Sequence, residues 1–211
     1  MTMRAVVTGG SGGIGREVLR ELRARGWEVT SLSRREGTDV SDEKEVKRAF
    51  RDLRSLDALV NCAAVLIKRP FVRLTAAEWD EQLGAGLRGA FLCSREAFRL
   101  MRRRGGSIVM VSSLSGVAGA EKFPGMAAYV AAKSGLAGLT EALAAEGRAH
   151  AIRVNAVSPG AVDTPMLRIA GVGGPVLEPA EVARIIAWLA SPDSAPLSGA
   201  NLRLDPPESR G

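Results

Sequence analysis

The stretch R4-A-V-V-T-G-G-S-G-G-I-G15 decides how this chain is read. Residues 4–8 form a short apolar run with no polar alternation, the pattern of a strand covered on both faces. Glycines follow at once. Residues 15–25 then place Val18, Leu19 and Leu22 on one face of a helix. A strand, a glycine turn and a helix in that order form a backbone cradle for a phosphate. Side chains would block the approach to the amides at the helix N-terminus, hence Gly9, Gly13 and Gly15 in a GxxxGxG spacing.

The same alternation runs outward along the chain. Strands are expected at residues 27–32, 58–61, 107–112, 153–157 and 201–204. Helices are expected at 43–53, 76–103, 127–149 and 180–189. Strands alternating with helices of this kind build βαβ units around a parallel sheet. There are no internal repeats and no linker. The Gly- and Pro-rich segment 171–179 reads as a lid loop, and residues 206–211 as a loosely held tail. The expectation is α/β: a Rossmann-type doubly wound parallel sheet with helices on both faces, as a single domain over residues 1–205.

Composition narrows the function. Of 211 residues, 46% are hydrophobic and 25% charged, an ordinary globular balance. No apolar run is long enough to span a membrane, and the N-terminus lacks the pattern of a signal peptide. Cys62 and Cys93 make no disulfide framework and read as reduced thiols in a cytoplasmic setting. A single histidine, His150, cannot build a multi-histidine site, so no metal is expected. The net charge of +6 is spread along the chain and aromatics are only 4%, which argues against a nucleic-acid surface.

Two further patterns carry chemistry. The second strand ends in Ser31-Leu32-Ser33-Arg34-Arg35, with no acid until Glu36. A carboxylate at that position suits a ribose 2′-hydroxyl, whereas a hydroxyl and a guanidinium suit a 2′-phosphate. Ser33 and Arg34 therefore favour NADP(H) over NAD(H). The chain's one tyrosine, Tyr129, is followed one helical turn later by Lys133. An ammonium beside a phenol lowers the phenol's pKa toward the range of a general acid–base. Ser113, 16 residues upstream, is placed to hydrogen-bond a substrate oxygen.

With these residues the chain resembles the short-chain dehydrogenases/reductases over nearly its whole length. Residues 8–15 look like the family's TGxxxGxG, with Ser11 and Ile14 between the glycines. Ser113, Tyr129 and Lys133 match its Ser–Tyr–Lys set. Asp39-Val40 resembles its adenine-contacting pair, and the segment from Asn61 to Ala64, with Ala63 toward the cofactor, resembles its NNAG. Residues 155–165 resemble the segment that holds the nicotinamide carboxamide, through Pro159, Gly160, Val162 and Thr164.

The resemblance implies hydride transfer between NADP(H) and a carbonyl or secondary alcohol, such as a 3-oxoacyl compound or another ketone. Tyr129 is the implied acid–base. Lys133 tunes it and binds the nicotinamide ribose, and Ser113 orients the carbonyl. It also implies a homodimer or homotetramer. The chain departs from the family at Gly86, where an asparagine usually holds a proton-relay water. Glycine supplies no side chain there but permits a kink. The region before Asp39 is short, so a helix and a strand are trimmed, and residues 166–178 imply a small lid over an open pocket. The other reading is an NADP-binding regulator or scaffold of the same fold with little turnover.

Overall fold

The computed structural model describes residues 2–206. Six strands, β1 (Arg4–Thr8), β2 (Glu28–Leu32), β3 (Ala58–Asn61), β4 (Gly106–Val111), β5 (Ile152–Pro159) and β6 (Asn201–Leu204), form one sheet in the order β2-β1-β3-β4-β5-β6. Every pairing is parallel. The chain leaves β1 to one side for β2 and returns to the other side for β3. That reversal opens a crevice at the C-terminal ends of the strands, where open α/β sheets bind ligands.

Helices cover both faces. α1 (Gly13–Ala24) and α7 (Pro179–Ala190) close one core around Val7, Val18, Leu22, Val60, Val109 and Ile186. α2 (Glu43–Phe50), α4 (Gly89–Met101) and α5 (Ala127–Gly147) close the other around Leu59, Leu92, Met101, Ile108, Met110 and Leu136. β3 and β4 are buried at every position but Gly106, as their unbroken apolar runs require.

Two elements differ from the sequence reading, and the trimmed region after β2 follows it. The single helix expected at 76–103 is divided into α3 (Ala76–Leu83), a π-helical segment at Gly84–Arg88, and α4. Close packing explains the break. A Cβ on Gly89 would lie 2.7 Å from Val40 Cγ2, and Leu87 packs against Gly135 of α5. The π-helical segment thus forms around Gly86 without an asparagine. The trimmed region after β2 is a 3-10 turn at Arg34–Glu36, which leaves β2 as a sheet edge. The lid begins with a helix that periodicity did not reveal, α6 (Pro165–Ala170), too short to show a repeat and started by proline at its first turn. Beyond it the chain returns to pair Leu177 with Val162. The tail expected from residue 206 onward falls, after Pro206, outside the described residues.

Candidate active site

The crevice is built first by its glycine turn. Gly9 has φ +70°, a left-handed conformation, and a Cβ there would lie 2.8 Å from the backbone of Ala63. Gly15 allows α1 to start directly over the Gly9 carbonyl. Thr8, the first residue of the TGxxxGxG-like stretch, fastens this turn to the next loop. Its Oγ1 accepts from the amides of Cys62 (3.0 Å) and Ala63 (3.1 Å). Gly12 caps α1 without any side-chain bond, and the first turn holds no acidic residue. Open amides at the positive end of a twelve-residue helix fit a diphosphate. Ser11 and Ile14 lie in the same turn, with Ile14 partly packed into the core. Thr164 lies against it from the other side, since a Cβ on Gly13 would be 2.5 Å from the threonine methyl.

The remaining candidate cofactor residues divide into two groups. Pro159 ends β5, Gly160 donates to the Leu204 carbonyl, and Val162 is buried, so the segment reaching Thr164 lines the crevice. Asp39 lies on the far side, its carboxylate accepting from Ser41, beside buried Val40. Asn61 is 3% exposed, and its side chain turns into the core toward Ser94 and Met110. Ser33 donates to Glu36 at 2.6 Å, and Arg34 reaches Glu81 of α3 at 3.2 Å. Both partners of that ion pair are well exposed, so it holds Arg34 only weakly.

The three chemistry-bearing side chains come together. Ser113 begins a 3-10 turn at Leu114–Gly116 immediately after β4. That turn is stapled to α5: Ser112 Oγ donates to the Lys133 carbonyl at 2.8 Å, and Ser134 Oγ to the Gly116 carbonyl at 3.1 Å. Gly116 permits the approach, since a Cβ there would lie 2.6 Å from the Lys133 backbone. The Ser113 hydroxyl lies near enough to the Tyr129 phenol to ease its ionisation, and Lys133 Nζ lies 5.6 Å from the centre of the Tyr129 ring. The Lys133 ammonium donates to the Val111 carbonyl at 2.6 Å.

Electrostatics differ from the expected lowering of the phenol pKa. Burial pushes the Tyr129 phenol up to about 12, although the Ser113 hydroxyl draws it down in part. Burial also pushes Lys133 down to about 8. Desolvation dominates both shifts, and the ammonium gives a hydrogen bond to the Val111 carbonyl. Without a ligand, Tyr129 is therefore a neutral proton donor. Cys62, read from the sequence as a reduced thiol, is close enough to both groups to influence their ionisation. Its own thiol is pushed by burial up to about 11. The NNAG-like segment placed it beside the cofactor, but not its effect on Tyr129 and Lys133, which lie about 70 positions away.

Apolar residues enclose Tyr129. Leu66, Met126 and Ala170 are buried with it, and Phe123, Val130, Met166 and Val172 pack around them. Lys68 Nζ donates to the Ala170 carbonyl at 2.5 Å, fastening α6 over the cluster. Tyr129 is only 9% exposed within this cluster.

Comparison with known proteins agrees with this geometry. A family model described as enoyl-(acyl carrier protein) reductase matches residues 36–206. The chain is 34% identical, over 235 aligned positions covering 96% of each sequence, to the acetoacetyl-CoA reductase of Rhizobium meliloti (strain 1021). This chain belongs to the short-chain dehydrogenase/reductase family. It is an oxidoreductase acting on CH–OH and C=O groups. A solved short chain dehydrogenase/reductase family protein superposes with a TM-score of 0.88 at 30% identity, covering 96% of this chain and 95% of that one. ElxO with NADP bound superposes with a TM-score of 0.86 at 25% identity, covering 97% and 98%.

Proposed function

We propose that the protein transfers a hydride between NADP(H) and a ketone or secondary alcohol, with Tyr129 as the acid–base group. The observation that carries this reading is the Ser113–Tyr129–Lys133 cluster standing beside the uncapped N-terminus of α1. The amides of residues 12–15 would hold the diphosphate, and Pro159, Gly160, Val162 and Thr164 the nicotinamide end. Asp39 and Val40 would flank the adenine, with Ser33 and Arg34 beside the 2′-phosphate. Bound NADP(H) would supply or accept the hydride.

The chain's own residues handle the proton and the orientation. In reduction, Tyr129 Oη gives its proton to the carbonyl oxygen as that oxygen gains charge, and in oxidation it takes the proton back. Ser113 Oγ donates to the same oxygen and fixes it against the phenol. Lys133, held at this corner by the Val111 carbonyl, would bind the nicotinamide ribose next to it. The apolar wall of Leu66, Phe123 and Met166 excludes water and suits a substrate with a hydrophobic arm, such as a 3-oxoacyl thioester. No observation favours the regulator reading.

The setting we infer is a cytoplasmic homodimer or homotetramer. The free thiols of Cys62 and Cys93 fit a reducing compartment. Phe91 on α4 and Trp188 on α7 stay 44% and 37% exposed, and β6 offers an open edge, which suits contact with further copies.

The test is loss of NADPH absorbance against a panel of ketones, diketones, quinones and 3-oxoacyl thioesters. Wild-type protein is expected to turn over at least one of them. Tyr129→Phe is expected to lose at least about 100-fold in rate while its NADPH affinity stays unchanged. Full turnover by the phenylalanine variant would reject the mechanism.

A further inference from the structure

The turn after β2 carries a carboxylate that the proposed function does not use. Glu36 ends the 3-10 turn and folds back along the strand. Its Oε2 accepts from Ser31 Oγ at 2.7 Å and from Ser33 Oγ at 2.6 Å. Ser31 Oγ in turn lies against the glycine turn, since a Cβ on Gly10 would collide with it. One carboxylate is thus held beside the phosphate-binding turn, at the end of β2. Arg34 does not pair with it, because that guanidinium reaches Glu81 on α3, and Arg23 lies near enough to favour its charged form.

This arrangement opposes the bias that Ser33 and Arg34 give the site. A 2′-phosphate would need the Ser33 hydroxyl as a donor, and that hydroxyl is already committed to Glu36. A dianion brought within the same hydrogen-bond shell would also meet a like charge. An unphosphorylated ribose carries a 2′-hydroxyl, which can donate to a carboxylate at that place. The two dinucleotides therefore meet Glu36 with opposite sign.

We propose that Glu36 is a selectivity residue for the dinucleotide: it competes with a 2′-phosphate for the Ser31 and Ser33 hydroxyls and accepts from an unphosphorylated ribose, keeping NAD(H) usable in a site that Arg34 tilts toward NADP(H). The proposal rests on the cofactor reading above and narrows it to one side chain. A purely structural Glu36 would only tie the 3-10 turn to β2. Glutamine keeps an acceptor for both hydroxyls and removes only the charge, so Glu36→Gln separates the two roles.

The experiment is calorimetric titration of the full chain, wild type and Glu36→Gln, with NADPH and with NADH. No substrate or turnover is needed. Glu36→Gln is expected to move the ratio of the two dissociation constants toward NADPH by about tenfold, from tighter NADPH and weaker NADH together. Glu36→Ala, which abolishes the acceptor as well, should move it the same way. A ratio that shifts by less than about threefold in both variants, or that moves toward NADH, overturns the proposal. Failure of the wild type to bind either dinucleotide would instead overturn the cofactor reading beneath it.

Discussion

Replacing Lys133 with methionine should stabilise the fold at neutral pH and destabilise it in strong base. The lysine is 3% exposed and its ammonium has one protein acceptor, the Val111 carbonyl at 2.6 Å. Burial holds its pKa at about 8 against an ordinary value of 10.5. At about 1.4 kcal/mol per pH unit, keeping it charged costs the native state about 3 kcal/mol at pH 7. Methionine removes that cost with little change of volume, but leaves the Val111 carbonyl without its donor, a loss of about 1–2 kcal/mol. The variant should therefore be about 1–2 kcal/mol more stable at pH 7, equivalent to roughly 2–8 °C in Tm for a chain of this size.

The sign reverses with pH. The folded pKa lies below the unfolded one, so between pH 8 and 10.5 the unfolded chain binds more protons than the native chain. Over that window this group makes the wild type more stable as pH rises. By the upper end the native lysine is neutral, the charge cost is gone, and the variant should be the less stable protein by about 1–2 kcal/mol. Cys62, Cys93 and Tyr129, which burial also holds high, are present in both proteins and largely cancel in the difference. Urea unfolding of both proteins, followed by the fluorescence of buried Trp27, measures it across the window. A stability difference that stays level with pH would refute the argument that a buried ammonium is the cause. Activity should be lost in the variant throughout.

Other substitutions test other joints of the site. Thr8→Val removes the acceptor shared by the Cys62 and Ala63 amides and should cost about 2–4 kcal/mol; a loss under about 1 kcal/mol in urea unfolding would show that the two amides find other partners. Gly15→Ala drives a methyl group into the Gly9 carbonyl, so about 1–3 kcal/mol of stability and most NADPH affinity should go together, and a variant that binds NADPH normally would refute the cradle. Arg34→Ala should weaken NADPH about tenfold and NADH little, because the weak pair with Glu81 leaves the guanidinium available; equal losses in titration would remove Arg34 from the 2′-phosphate site.

The sequence by itself determined the architecture and brought forward the candidate chemistry-bearing residues. Strands buried on both faces leave apolar runs, and β1, β3 and β4 could be located from theirs because a covered sheet tolerates nothing else. The glycine turn was legible because a backbone cradle requires missing side chains, and Tyr129 with Lys133 because one helical turn fixes which residues share a face. Tertiary structure decided what depends on neighbours distant in the chain. The break at Gly84–Arg88 comes from packing against Val40 and Gly135, which the local pattern of residues 76–103 does not contain. Ionisation of Tyr129 and Lys133 depends on burial, so the sequence suggested an eased phenol where the fold provides a neutral one. Cys62 and Glu36 acquired their places in the same way. One is carried to Tyr129 and Lys133 by the β3 loop, and the other meets hydroxyls three and five positions before it through a 3-10 turn that no repeat in the sequence announced.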